Sequence, residues 1–88
     1  MSADNGIYIA KFGENDWRVK HAMAIENLDY YPKNTQEWKQ MVKLYYEDAE
    51  RFNTKGEALE HAVNLSHMLY SLEYGINILP EDYSEVFQ

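Results

Sequence analysis

Two stretches near the start of the chain alternate between apolar and other residues, and a short polar segment separates them. They read GIYIAKF (Gly6–Phe12) and WRVKHAMAI (Trp17–Ile25), on either side of the segment GEND. Alternation with a period of two is typical of strands that bury one face, and a turn-rich segment between two such stretches predicts a β-hairpin. This hairpin constrains the whole fold, because later parts of the chain must cover its apolar face.

The register of the hairpin follows from the requirement that the apolar residues of both strands share one face. Pairing Ile9 with Val19 meets this requirement, places Phe12 opposite Asp16 and leaves a three-residue loop, Gly13–Asn15. A slip of one residue would send one apolar set to solvent. The predicted apolar face holds Ile7, Ile9, Val19, Met23 and Ile25. The other face is expected to be mixed and wet, with Tyr8, Ala10, Phe12, Arg18, Lys20 and Ala22.

A first helix is predicted over residues 35–51, after a loop that contains Pro32. Asn34 is the predicted N-cap, and Glu37 is its partner in a capping box. The apolar residues that recur at helical spacing are Trp38, Met41, Val42, Tyr45, Ala49 and Phe52. This spacing predicts an amphipathic helix with one buried stripe.

A second helix is predicted to start at the capping box that Thr54 and Glu57 form and to run to about Tyr70. Its apolar stripe is spaced four, three, four and three residues and consists of Ala58, Ala62, Leu65, Leu69 and Leu72. Leu59 and Val63 lie beside this stripe. The pattern predicts a helix packed along one side on the sheet.

The final predicted strand is EYGINIL, in which Ile76 and Ile78 share one face and which Pro80 ends. The predicted order is therefore ββααβ, in a single domain of residues 1–88. The simplest α+β arrangement is a three-stranded antiparallel sheet with both helices packed on one face. The residues predicted to be buried together are Ile7, Ile9, Val19, Ile25, Leu59, Leu69 and Ile76.

The acidic tail, residues 81–88, leaves two possibilities open. It forms either one helical turn that Tyr83, Val86 and Phe87 anchor, or a loose segment. Either way, it extends an acidic third of the chain, because residues 56–88 contain six acids and no lysine or arginine.

Composition and charge limit the kind of partner. The formal net charge is −7, so nucleic acids and anionic membranes, which are bound by clustered Lys and Arg, are not expected as direct partners. The chain has no cysteine, which excludes a disulfide framework and a thiolate metal site. No signal peptide and no apolar run of about 18 residues is found, and we expect a cytoplasmic protein.

Four segments are similar to a group of small proteins found mostly in bacteriophage genomes. They are SADNGIYI, WRVKHAMAIENL, FNTKGEALEHA and EYGINIL, and the similarity spans Ser2 to Leu79. The opening Ser-Ala-Asp-Asn-Gly-Ile-Tyr segment is the most specific part of the resemblance. The resemblance implies a phage origin, and with it the cytoplasm of a host cell, but no particular chemistry.

Residues that could support catalysis or metal binding are sparse. His61 and His67 are six residues apart, a rotation of about 240° on a helix, so they cannot hold one metal together. His21 lies on the apolar face of the hairpin and is expected to be partly buried. Neither Ser66 nor Ser84 has a His–Asp arrangement around it. We therefore expect no enzymatic activity, no metal site and no cofactor.

Exposed acids and tyrosines remain as the candidate binding surface. Tyrosine is enriched in interfaces because it buries a rigid ring and still offers a hydroxyl group, and charge of one sign speeds encounter with a partner of opposite sign. The predicted partner-binding residues are Tyr30, Tyr31, Tyr46, Glu57, Glu60, Glu81, Asp82 and Tyr83, and the four tyrosines are expected outside the core. The competing explanation is that the acids only keep the protein soluble.

The leading functional interpretation is a phage-type protein that binds a basic surface of a host protein, such as a defence component, and modulates or inhibits it. The alternative is a non-catalytic protein that sequesters a small nucleotide-like signal, as an oligomer with the site between subunits; a homodimer is left open. The alternative requires several cations to converge with Tyr8 or Trp17 at a cleft. The available cations are Lys11, Arg18, Lys20, Lys33, Lys39, Lys43, Arg51 and Lys55.

Overall fold

The computed structural model describes residues 5–23, 32, 35–69 and 75–87. Within these segments the elements are β1 (Asn5–Gly13), β2 (Asp16–Met23), α1 (Gln36–Tyr46), β3 (Glu50–Phe52), α2 (Lys55–Met68) and β4 (Ile76–Asp82). The α+β class with two helices is confirmed. The short strand β3 was not predicted, so the order within the described residues is ββαβαβ.

Strands β1 and β2 form the predicted hairpin, and Ile9 lies opposite Val19 as the alternation predicts. The end of the hairpin differs from the prediction, because Gly13 and not Phe12 pairs with Asp16. One extra residue in β1 forms a β-bulge there and shortens the loop by one residue. The bulge leaves the two faces of the strands as the sequence pattern assigns them.

The sheet has four strands in the order β3-β2-β1-β4. Strand β3 is antiparallel to β2, whereas β4 is parallel to β1, so the predicted three-stranded antiparallel sheet is wrong in both number and direction. Strand β4 also continues through Pro80. Strand β4 lies at the edge of the sheet, where proline is tolerated. The register between β1 and β4 also shifts between Ile9 and Lys11, so Pro80 does not interrupt a regular ladder of hydrogen bonds.

The two helices cover opposite faces of the sheet, and each encloses its own apolar cluster. The first cluster, under α1, contains Tyr8, Ala10, Phe12, Trp38, Val42, Tyr46, Tyr83 and Val86. The second cluster, under α2, contains Ile7, Ile9, Val19, Ala58 and Ala62. The prediction of both helices on one face and of a wet opposite face is therefore wrong. Successive residues of β1 point to opposite faces, and both sets are buried.

The mixed face of the hairpin can be buried because the charge of its buried arginine is compensated. The Arg18 guanidinium pairs with the Asp16 carboxylate at 3.0 Å and donates a hydrogen bond of 3.0 Å to the main-chain carbonyl of Tyr46. The rings of Phe12 and Phe87 lie 5.1 and 4.0 Å from it. A buried charge is tolerated when it is paired and hydrogen-bonded in this way.

Helix α1 is shorter than predicted. Its N-cap is Thr35, whose hydroxyl accepts a hydrogen bond from the Trp38 backbone N–H at 3.2 Å. Asn34, the predicted N-cap, lies outside the described residues. The helix ends at Tyr46, because the chain from Glu50 onwards pairs with β2 as strand β3.

Most of the predicted core residues are confirmed. Those that are buried, or half-buried against the second cluster, are Ile7, Ile9, Val19, Leu69 and Ile76. Leu59 is 38% exposed, so its predicted burial is wrong. Helix α2 rests on the sheet through Ala58 and Ala62, and Leu59 lies at the margin of that contact. Ile25 lies outside the described residues.

The tail is anchored and not loose over its described part. Tyr83 and Val86 belong to the first cluster, and Phe87 packs against it. The Val86 backbone N–H donates a hydrogen bond of 3.0 Å to the Tyr83 carbonyl, which closes one turn. The tail thereby covers part of the sheet face that α1 leaves open.

Candidate functional site

The first turn of α2 holds an acidic side chain in a defined place at the surface. The Thr54 hydroxyl accepts a hydrogen bond of 3.1 Å from the Glu57 backbone N–H and donates one of 3.2 Å to Glu57 Oε1. The predicted N-cap and its acidic partner are confirmed. Glu60 follows almost one helical turn later, and both acids are exposed.

Two apolar side chains on the same helix are also exposed. Leu59 and Val63 are 38% and 39% exposed. At about 100° per residue, helix geometry places Glu60 between Val63 on one side and Glu57 on the other. We call the surface of Glu57, Leu59, Glu60 and Val63 the α2 face. The exposure of its apolar part was not predicted. The residues at the centre of the apolar stripe of α2 are small, so the helix makes only a narrow contact with the sheet, and the apolar side chains beside that contact stay exposed.

A shallow hollow borders the acidic side of the α2 face. It has a volume of about 340 Å³ and is lined by Phe52, Glu57, Glu60, His61 and Asn64. The rings of Phe52 and His61 lie 4.9 Å apart, centroid to centroid. The acids therefore stand beside an aromatic surface into which a partner's side chain can pack.

The acids of the α2 face stand apart from the ion pairs of the described residues. Four ion pairs span 3.0 to 4.0 Å and join Arg18 and Arg51 to Asp16, Lys20 to Asp48, and Lys39 to Glu85. Glu57 and Glu60 take part in none of the ion pairs formed within the described residues. In the described part of the chain, four basic residues are thus held by other acids, and the negative field of the α2 face is directed to solvent.

Two of the predicted binding tyrosines are core residues. Tyr46 is fully buried, and its hydroxyl donates a hydrogen bond of 3.3 Å to the main-chain carbonyl of Tyr8. Tyr83 is 5% exposed and stacks on Trp38 with ring centroids 5.3 Å apart. Burial, with smaller contributions from Tyr83 and Tyr8, raises the pKa of Tyr46. The expectation that Tyr46 and Tyr83 lie outside the core is wrong, because α1 and the tail cover this face of the sheet.

The remaining predicted binding residues are dispersed. Asp82 is exposed on β4, where its carboxylate accepts hydrogen bonds from the backbone N–H and the hydroxyl of Ser84. Tyr30, Tyr31 and the side chain of Glu81 lie outside the described part of the chain. Of the eight predicted residues, the structure thus brings together only the two acids of α2 on one described surface.

Two lysines lie together at a second surface. Lys11 and Lys55 line a cleft of about 380 Å³ with Trp17. We call it the β4 cleft, and its principal residues are Lys11, Trp17, Lys55, Ile78, Pro80 and Asp82. Tyr8 points to the opposite face of the sheet, and Lys33 lies outside the described residues. The position of the cleft was not predicted, because it depends on the parallel pairing of β4 with β1. The meeting of Lys11 and Lys55 with Trp17 is nevertheless of the kind that the small-ligand alternative requires.

The structure also bears on the predicted burial of His21, on metal binding and on membrane-spanning helices. His21 is exposed, so its predicted partial burial is wrong. Among the described side chains, no three of His, Cys, Asp or Glu are grouped so that they could hold a metal ion. In the same segments, no helix has both the length and the apolar character needed to cross a bilayer.

Comparisons of the chain with protein families, with curated proteins and with solved structures find no match. The functional assignment therefore rests on the chemistry of the α2 face and of the β4 cleft.

Proposed function

We propose that this chain is a small, non-catalytic binding protein that docks its α2 face on a basic surface of another protein and modulates or inhibits that protein. The observation that supports this proposal is the pair of exposed acids, Glu57 and Glu60, which are outside the ion pairs of the described residues and lie beside exposed Leu59 and Val63. The apolar side chains lie on one side of the α2 face and the acids on the other, so a partner can cover the first while the second stay at the solvent-accessible rim, as in protein interfaces generally.

The two kinds of side chain have different roles in this proposal. The acids attract a basic partner over several ångströms and raise the rate of encounter, and salt screens that attraction. Leu59 and Val63 lose water on contact and so slow dissociation. Tyr46 and Tyr83 have no part in the interface, because they are needed in the core.

The target class follows from charge and from the resemblance of the opening segment to phage proteins. A phage protein acts inside a bacterial host, and a host protein with a basic surface fits the net charge of −7. Components of host defence that normally hold nucleic acid present such surfaces. In this proposal the chain competes with nucleic acid for that basic surface.

Capture from a bacterial lysate with matched variants tests the proposal. Glu57→Gln with Glu60→Gln removes two charges from the α2 face, and Glu14→Gln with Glu47→Gln removes two charges from exposed positions elsewhere. Both variants have the same net charge. We expect the wild type and the second variant to capture the same basic protein at low salt, and the first variant to lose it.

Capture that is reduced equally in both double variants would contradict the proposal, since binding would then follow net charge and not the α2 face. Equal capture by all three proteins would show that the acids serve solubility. Circular dichroism of each variant before the experiment checks that the fold is intact.

A further inference from the structure

The β4 cleft places charged and aromatic side chains in one row across three strands. Lys11 lies opposite Trp17 of β2 and opposite Asp82 of β4. Paired residues of neighbouring strands point to the same face of a sheet. Lys55, the first residue of α2, adds a second ammonium group to the lining of the cleft.

The cleft has a net positive charge in an otherwise acidic protein. Neither Lys11 nor Lys55 has a partner among the ion pairs of the described residues, in contrast to Lys20 and Lys39. The carboxylate of Asp82 is the opposing charge, and its Oδ1 atom already accepts two hydrogen bonds from Ser84. Two ammonium groups against one carboxylate leave the cleft able to attract an anion.

The aromatic wall of the cleft is the Trp17 ring, and the contact over it is weak. The Lys11 Nζ atom lies over this ring, 5.9 Å from its centroid. This is near the outer limit of about 6 Å for a cation–π contact, so a planar ligand ring that stacks on Trp17 has only this weak contact to replace. Ile78 and Pro80 supply apolar walls. The volume of about 380 Å³ falls within the range of small-molecule sites, roughly 300 to 1,000 Å³.

We propose that the β4 cleft binds a small aromatic anion of mononucleotide size. Its planar ring stacks on Trp17, and Lys11 and Lys55 hold its phosphate or carboxylate group. Inorganic phosphate would leave the ring and the apolar walls unused. A nucleic-acid strand needs a run of free cations, which the ion pairing of Arg18, Lys20 and Arg51 and the net charge of −7 disfavour. This proposal does not depend on the α2 face.

The two tryptophans allow a direct test on the wild-type chain. Trp17 is half-buried at the cleft, whereas Trp38 is buried in the first cluster, on the other side of the sheet. In a ¹⁵N correlation spectrum, with the indole signals assigned by Trp17→Phe, we expect adenosine monophosphate to shift the Trp17 signal saturably and to leave Trp38 in place. Adenosine and inorganic phosphate, each lacking one half of the ligand, should bind at least about tenfold more weakly.

A matched pair of variants tests the two lysines. Lys11→Gln with Lys55→Gln should weaken binding of adenosine monophosphate at least about tenfold, because two charge-assisted contacts are lost. Lys39→Gln with Lys43→Gln removes the same charge on α1, and its affinity should equal that of the wild type.

The source of the anion is distinguished by titrating adenosine 5′-carboxylate, which has the same ring, beside adenosine monophosphate. Saturable binding of either supports the site, and the tighter one identifies phosphate or carboxylate as the preferred group. The proposal is overturned if neither compound moves the Trp17 signal at millimolar concentration, if adenosine binds as tightly as its monophosphate, or if the α1 variant loses as much affinity as the cleft variant.

Discussion

The Arg18 guanidinium donates a hydrogen bond of 3.0 Å to the main-chain carbonyl of Tyr46, the last residue of α1. Carbonyls in the last turn of a helix lack a partner within the helix, and the negative end of the helix dipole favours a cation there. The same guanidinium pairs with Asp16 on the hairpin. One side chain thus joins β2 to the C-terminal end of α1.

We predict that Arg18→Met destabilises the fold by about 2–4 kcal/mol, because it removes one buried donor from the Tyr46 carbonyl and two donors from the partly buried Asp16 carboxylate. Arg51→Met is the matched control, since Arg51 pairs with the same carboxylate at 3.3 Å but its side chain is 64% exposed. The control should cost less than about 1 kcal/mol. Urea denaturation of both variants measures the difference, and equal midpoints would show that burial of Arg18 is not what matters.

Stability should depend on the ionisation of Asp16. Partial burial acts to raise the pKa of Asp16, but the hydrogen bonds and charges of Arg18 and Arg51 outweigh it and hold the pKa below the ordinary value of 3.8. A pKa lowered in the folded state means that the stabilisation is complete above pH 3.8 and is lost as pH falls through the folded-state pKa. The difference in unfolding free energy between wild type and Asp16→Asn should therefore be largest near neutral pH and shrink in acid. A difference that stays constant down to pH 2.5 would contradict the assignment.

The second cluster should respond strongly to truncation. Ile9 is fully buried beneath α2, and Ile9→Ala should cost about 2–5 kcal/mol. Leu44, which is 66% exposed on α1, is the control, and Leu44→Ala should change the unfolding free energy by no more than about 0.5 kcal/mol. Thermal or denaturant unfolding separates the two. Similar costs would mean that the surface of α1 is covered in solution.

The N-cap of α2 should contribute measurably to stability. Thr54→Ala removes the acceptor of the Glu57 backbone N–H and should cost about 1 kcal/mol. Thr54→Ser keeps the hydroxyl and should restore most of that loss. Denaturant unfolding of both variants gives the two values. No recovery with serine would assign the effect to the lost methyl group and not to the cap.

The features that the sequence predicted are local ones. The alternation on both strands identified the pairing of Ile9 with Val19, and the Thr-x-x-Glu spacing identified the start of α2. Each depends on residues close in sequence or on one turn. The three-residue strand β3 is too short to show a period, and the alternation of Ile76 and Ile78 is the same for a parallel and an antiparallel neighbour.

The second buried face was missed for a different reason. Arg18 and Lys20 interrupt the apolar pattern of that face, and only their partners in space, Asp16 and Asp48, compensate their charges. Tyr45 was predicted to lie in the buried stripe of α1, but it is only half-buried. Its neighbour Tyr46 is fully buried instead. Consequently the exposure of Glu57 and Glu60 was predicted correctly, whereas the exposure predicted for Tyr46 and Tyr83 was wrong.

The most direct test of the α2 face is the association rate with the captured partner, measured by surface plasmon resonance at low and high salt. For Glu57→Gln with Glu60→Gln, we predict association several-fold slower than wild type at low salt, a weaker salt dependence, and an unchanged rate for Glu14→Gln with Glu47→Gln, because charges near an interface act mainly on the on-rate. An on-rate of the first variant equal to that of wild type at low salt would contradict the proposed role of the α2 face.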